Sequence, residues 1–106
     1  SVRRFSQIIR RLLNSRSIVI VTHNMDFVAD IADRVIALHS GSLVFDGAPR
    51  ELFRDANRVA EIGLEMPTLS QILARRPSTP EYLRDSISLQ ELEQKIEKKS
   101  AQTHKV

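Results

Sequence analysis

The sequence contains no cysteine and no tryptophan, and aromatic residues make up only 5% of its 106 positions. The absence of cysteine excludes disulfide bonds, thiolate metal sites and cysteine nucleophiles, and it fits a reducing compartment such as the cytoplasm. No uninterrupted apolar run exceeds four residues. We therefore expect neither a membrane-spanning helix nor an export signal.

Glycine is also scarce, with Gly41, Gly47 and Gly63 as its three occurrences. Their positions rule out a G-x-x-x-x-G-K-[S/T] loop within these residues, so no glycine-rich backbone is available to cradle phosphates. The three histidines lie in different predicted elements without paired spacing, and no metal site is expected. Serine, histidine and aspartate are present without a nucleophile elbow, which disfavours a triad hydrolase.

The length allows one domain with a modest core, and the net charge of +3 makes the chain mildly basic. Five arginines fall within the first sixteen positions with no acid among them: Arg3, Arg4, Arg10, Arg11 and Arg16. Such a block either attracts phosphates and anionic lipids or forms the solvated face of a helix. The scarcity of aromatic residues favours the solvated face, because no stacking platform for bases accompanies the arginines.

The first half of the chain has the order of an α/β protein. Apolar residues at three- and four-residue spacing predict an amphipathic helix over residues 2–13. Residues 18–21 are consecutive β-branched residues, which predicts a parallel strand buried on both faces. Asn24 is a good N-cap, and Asp26 in the first turn suits the helix end, so a second helix is predicted to run to about Ala32.

The second half begins with two short strands around Ser40 and Gly41, a tight hairpin turn. Pro49 predicts the first turn of a short helix, and Gly63 ends a further helical stretch. Another helix is predicted from Thr68, before a linker over residues 75–80 that is rich in proline, serine and threonine.

The last predicted helix opens at Ser88, which has capping-box spacing to Glu91. Leu89, Leu92 and Ile96 form its apolar stripe. From Lys98 onward we expect fraying or disorder.

His23 follows the predicted strand directly and precedes the predicted helix. In open parallel sheets, ligands bind beyond the carboxyl ends of the strands, so an imidazole there can meet a phosphate. From position alone, the alternative is a polar residue at the end of a strand that hydrogen-bonds a loop carbonyl.

The stretch "IVIVTHNMDFVADIADRVIALHSGSLVFDGAPRELF" resembles the ABC transporter ATPases, from their switch-histidine loop to the terminal hairpin of the catalytic core. The matching features are the apolar strand that ends in Thr22 and His23, then Asp26, Ala32, Asp33, Arg34, Gly41, Asp46, Gly47 and Pro49. By this resemblance, His23 is the switch histidine, a catalytic and nucleotide-contacting residue that senses the γ-phosphate of ATP. It would also touch the opposite subunit when two such domains close.

The carboxyl-terminal stretches "RVAEIGLEMPTLSQILARR" and "SISLQELEQKI" are similar to the extension of energy-coupling factor ATPases. These are the paired subunits that drive uptake of vitamins and of cobalt or nickel. Gly63, Leu64 and Pro67 match the start of that extension, and residues 88–92 match its later helix.

The resemblance implies a partial P-loop NTPase-type α/β core in residues 1–63, with one buried parallel strand and a terminal hairpin. A helical extension over 64–99 and a flexible tail over 100–106 would follow. ATP and Mg²⁺ would serve the complete protein, and this chain alone would lack the phosphate loop, the signature motif and the catalytic carboxylate.

The implied partners are a second ATPase subunit and an integral membrane transport subunit, which would hold the cytoplasmic protein at the inner face of the membrane. We therefore expect a fragment of an ATPase that cannot bind or hydrolyse ATP alone. The alternative is a non-catalytic dimerisation or nucleic-acid-binding module, whose binding to nucleic acid would fall steeply with salt.

Overall fold

The computed structural model describes residues 2–103 of the chain, with side chains described for residues 4–102. Two helices followed by a two-stranded hairpin make up the first half of the chain, and the second half is helical. The elements are α1 (Val2–Leu13), α2 (Met25–Ile31), β1 (Val35–His39), β2 (Ser42–Gly47), α3 (Pro49–Phe53), α4 (Ala56–Glu61), α5 (Thr68–Ala74), a one-turn 3₁₀ helix (Glu81–Leu83) and α6 (Leu89–Thr103). This mixed α/β composition confirms the predicted class.

The hairpin forms as predicted, with β1 and β2 antiparallel. Ser40 and Gly41 both have positive φ, at 51° and 78°, which is the requirement of a type I′ turn. Asp46 of β2 accepts two hydrogen bonds from the Arg34 guanidinium, at 2.8 and 2.7 Å. The hairpin register, which pairs Asp46 with Ile36, brings this carboxylate to Arg34 just before β1.

Residues 18–21 do not form the buried parallel strand that the sequence predicted. The segment between α1 and α2 is irregular, and the side chains of Val19 and Val21 are 94% and 97% exposed. A strand depends on hydrogen-bonded neighbours and on burial of its faces. Within residues 2–103 the sheet consists of β1 and β2 only, and neither pairs with residues 18–21, so the prediction of a buried strand is wrong for these residues.

The apolar core lies between α2, the hairpin, α3 and α4. Leu52 has no exposed surface and Val59 only 1%, since both face inward from their short helices. The other fully buried members of this cluster are Met25, Val28, Ala37, Phe45 and Phe53. α1 joins this core from the side, where the Phe5 ring lies 5.5 Å from that of Phe27.

α5 and α6 form at the predicted starts but bury little apolar surface. α5 has no buried residue, and Leu89 and Ile96 of α6 are 58% and 47% exposed. The serine half of the predicted capping box forms, with the Glu91 backbone N–H donating to Ser88 Oγ at 3.2 Å. The Glu91 carboxylate accepts from the Ile87 backbone N–H at 2.9 Å instead of from that of Ser88.

The end of the chain is more helical than the sequence predicted. α6 continues past Lys98, where fraying was expected, to Thr103, and residues 104–106 of the predicted tail lie outside the described residues. The 3₁₀ helix was not predicted. In the described part of the chain, none of the helices combines the length and the apolar character needed to cross a bilayer.

Candidate functional site

His23 lies in a bend just before α2, and its side chain is exposed. Two local hydrogen bonds shape the backbone around it. Thr22 Oγ1 accepts from the Asn24 backbone N–H at 3.0 Å, and Asn24 Oδ1 accepts from the Phe27 backbone N–H at 3.0 Å. The second bond is the predicted N-cap of α2. His23 is therefore held between two side-chain turns and presented to solvent.

The His23 imidazole has no hydrogen bond or ion pair within the described residues. The interpretation of His23 as a strand-end residue bonded to a loop carbonyl thus finds no support there. Because the imidazole is exposed, its N–H group is available to donate a hydrogen bond to a phosphate oxygen.

Asp26 does more than place a charge in the first turn of α2. Its Oδ1 accepts from the Thr68 backbone N–H at 2.6 Å, and its Oδ2 accepts from Thr68 Oγ1 at 2.7 Å. Thr68 is the first residue of α5, whose N-cap Pro67 offers no side-chain hydrogen bond. A carboxylate from another element therefore caps α5. The absence of a Ser, Thr, Asp or Asn cap before α5 was the only sequence signal for this contact.

Arg10 connects three helices. Its guanidinium donates to the Asp30 backbone oxygen at 2.8 Å, to the Asp30 carboxylate and to Gln90 Oε1. α1, α2 and α6 meet at this side chain, which is only about one-third exposed. The sequence favoured a solvated helix face for the basic block, and this expectation is wrong for Arg10, which bonds Asp30 and Gln90.

The use of Arg10 inside the fold also bears on the basic block as a whole. One of its five charges is neutralised by Asp30, so the block offers less charge to an external polyanion than the sequence suggested. The Arg3 side chain lies outside the described side chains.

A network of four charges joins α3 to α6. Arg50 of α3 pairs with Asp85 and with Glu91, and Lys95 lies 2.7 Å from the Asp85 carboxylate and 3.1 Å from that of Glu91. We call this set, Arg50, Asp85, Glu91 and Lys95, the α3–α6 charge network. It attaches the start of α6 to the core beside Ile87, which packs against the core cluster.

The charge network shifts the pKa values of Asp85, Glu91 and Lys95. The hydrogen bond from Lys95 lowers the pKa of Asp85 below its ordinary value. For Glu91, burial acts to raise the pKa, but the Ile87 backbone N–H, Arg50 and Lys95 together outweigh it and the pKa is lowered. Burial alone would lower the pKa of Lys95, and its two carboxylate partners raise it. All three groups are therefore held in their charged forms.

A similar but fully exposed pair lies on the hairpin. The hydrogen bond between Arg34 and Asp46 raises the pKa of the arginine and lowers that of the aspartate. This pair fixes the ends of β1 and β2 and lies apart from any group with nucleophilic or metal-binding chemistry.

Metal chemistry has no cluster of ligands to use in the described part of the chain. No three His, Cys, Asp or Glu side chains there approach one another closely enough to hold an ion. His39 is exposed at the end of β1, and His104 lies outside the described residues.

Comparison with known proteins gives a consistent pattern. No protein-family model matches the chain. An energy-coupling factor transporter ATP-binding protein of Caldanaerobacter subterraneus is 41% identical over 54 residues, 51% of this chain and 19% of that protein. Its counterpart in Geobacillus kaustophilus is 44% identical over 61 residues, 55% of this chain and 21% of that protein.

A protein of Pyrococcus abyssi named as an ABC transporter ATP-binding protein is 37% identical over 65 residues, 58% of this chain and 23% of that protein. The chain thus spans about a fifth of the length of the curated relatives it matches. Over about half of its own length, it is homologous to ATP-binding proteins of ABC transporters, among them those of energy-coupling factor transporters.

Proposed function

We propose that this chain supplies the carboxyl-terminal part of an ABC ATPase core and that His23 is its switch histidine. The observation that carries the proposal is the placement of His23: an exposed imidazole, held between two side-chain turns, at the junction of an apolar segment and a capped helix. The names of the relatives, ATP-binding proteins of transporters, support the same role.

In this role the His23 N–H donates to an oxygen of the γ-phosphate of ATP and thereby senses whether that phosphate is present. A charge-assisted hydrogen bond of this kind contributes about 1.5 to 3 kcal/mol. ATP and Mg²⁺ are bound by residues of the complete ATPase outside this chain, which carries no phosphate loop. On its own, the chain is not competent to bind or hydrolyse ATP.

In this proposal, residues 18–21 form a strand of the ATPase sheet in the complete protein. Val19 and Val21 are almost fully exposed here, and burying such a side chain is worth about 1.5 to 3 kcal/mol. Neighbouring strands of an ATP-binding core would bury them and fix His23 at the carboxyl end of the strand.

The complete protein couples ATP hydrolysis to substrate uptake across a membrane. In this assignment residues 1–63 belong to the ATPase core, and residues 64–103 form the helical extension, since α6 continues to Thr103. The partners are a second ATPase subunit and an integral membrane transport subunit, which holds the protein at the inner face of the membrane.

The test is the variant His23→Ala in the complete ATPase. We expect nucleotide binding to persist and ATP hydrolysis to stop, because the terminal phosphate is the only part of the nucleotide that His23 contacts in this role. His39→Ala is the matched control, since His39 is also exposed and lies on the hairpin. Unchanged hydrolysis in His23→Ala would reject the assignment. A tight, magnesium-dependent ATP site measured by calorimetry on the 106-residue chain would reject the claim that the chain alone is incompetent.

A further inference from the structure

Two carboxylates on one side of α2 bind elements that lie far away in sequence. Asp26 and Asp30 are four residues apart, so they are neighbours on the same face of the helix. Asp26 binds Thr68 at the start of α5, and Asp30 binds Arg10, which also reaches Gln90 of α6. The helix that follows His23 is therefore tied at two points to the carboxyl-terminal helices.

The Asp26–Thr68 contact is the more specific of the two ties. Both carboxylate oxygens are used, one by the Thr68 backbone N–H and the other by its hydroxyl. The first N–H groups of a helix have no partners within the helix, and Pro67 cannot supply one through its side chain. α5 thus depends on α2 for its cap, and α2 is fixed in return.

The two sides of His23 differ in how they are anchored. Before His23, residues 16–22 are irregular and belong to no strand among the described residues. After it, Asn24 caps α2, and α2 carries both ties. The position of His23 is therefore set from the α2 side.

We propose that Thr68 is a positioning residue for His23: through Asp26 and α2, the extension sets where the imidazole lies. Movement of α5 relative to the core would displace α2 and, with it, His23. The effect of this link on catalysis rests on the function proposed above. The mechanical link itself involves no nucleotide.

The first test measures amide hydrogen exchange and NMR chemical shifts on the 106-residue chain. The variant Thr68→Val removes the hydroxyl at nearly constant volume, and Thr68→Ser is the matched control that keeps it. In Thr68→Val we expect about fivefold faster exchange in both α5 and α2, as for loss of one hydrogen bond, together with shifted His23 resonances. Thr68→Ser should behave as the wild type.

Asp26→Ala provides a second, stronger variant, with Asp33→Ala as its control because Asp33 is exposed and follows α2. It should reproduce both effects and enlarge them. Faster exchange confined to α5, with α2 and the His23 resonances unchanged, would overturn the proposal, as would no change in either variant. If Asp26→Ala unfolds the chain, Thr68→Val and its serine control decide the matter.

A kinetic test separates this inference from the function on which its consequence rests. In the complete ATPase, Thr68→Val should lower kcat several-fold with KM for ATP unchanged. Thr68→Ser, which keeps the hydroxyl, should have the kcat of the wild type. A null result in the His23→Ala experiment would reject the switch role and leave the exchange result standing. A normal kcat in Thr68→Val, with His23→Ala inactive, would reject the positioning role alone.

Discussion

The core around α2, the hairpin, α3 and α4 and the carboxyl-terminal extension are held by different forces. The core buries a contiguous set of apolar side chains, with Leu52 and Val59 almost completely enclosed. The extension, residues 64–103, buries polar residues such as Thr79 and Ser86, and its helix α5 buries none. Its attachment relies on Asp26, Arg10 and the α3–α6 charge network. Apolar contacts contribute as well, because Leu64, Met66 and Ile87 pack against the core cluster. The extension should therefore respond to pH and salt more strongly than the core does.

The largest loss of stability is expected from Leu52→Ala, which removes a buried side chain from the core. Deleting a fully buried leucine side chain costs about 2 to 5 kcal/mol, a large part of the stability of a small domain. Urea unfolding should give this loss. Ile72→Ala in α5 is the control, since its side chain is 46% exposed and should cost little. Equal losses in the two variants would remove the distinction between core and extension.

An intermediate loss of stability is expected at low pH, which weakens the charge network that holds the extension. Asp85 and Glu91 have lowered pKa values in the fold, so their stabilisation is present above their ordinary values of 3.8 and 4.5. It is lost as the pH falls through the lowered values. Amide exchange in α6 should therefore accelerate at about pH 3 relative to pH 7, after correction for intrinsic rates, by a larger factor than in α4.

Glu91→Gln is the control for this measurement because it removes one of the titrating groups. Its exchange in α6 should be faster at neutral pH and less sensitive to acid. At the alkaline end, Lys95 has a raised pKa, so its contribution is present below its ordinary value of 10.5 and is lost above its raised value. If α4 and α6 opened equally at low pH, the extension would not be the more electrostatic of the two regions.

The smallest effect is expected from the Arg34–Asp46 pair on the hairpin. Both side chains are well exposed, and solvent screens such pairs strongly. Arg34→Ala and Asp46→Asn should each lower the melting temperature only slightly, and the difference should vanish at high salt. A double-variant cycle measures the coupling. A large, salt-independent coupling would contradict the view that the apolar core holds the hairpin.

Locally encoded features were predictable from the sequence. Asn24 caps the helix that it precedes, and Ser40 with Gly41 forms the turn that its composition favours. These features depend on interactions within a few residues, so they do not require the rest of the fold. The Ser88 side chain caps α6 for the same reason.

Features that depend on distant residues were not predictable. Residues 18–21 have the composition of a buried strand, yet strand formation needs partners that the described residues do not provide. Asp26 and Thr68 are 42 positions apart, and Arg10 and Gln90 are 80 apart. The missing side-chain cap before α5 shows that Thr68 needs a partner without naming Asp26, and nothing in the local pattern around Arg10 or Gln90 distinguishes a solvated side chain from a bonded one.

The sequence by itself determined the helices, the hairpin and the resemblance that singles out His23, because caps, turns and periodicity are short-range properties of the chain. Only the tertiary structure decided which charges are bonded and what holds α2, because these depend on how the extension packs against the core. His23 depends on both: its position along the chain was readable, and its anchoring through α2 was not.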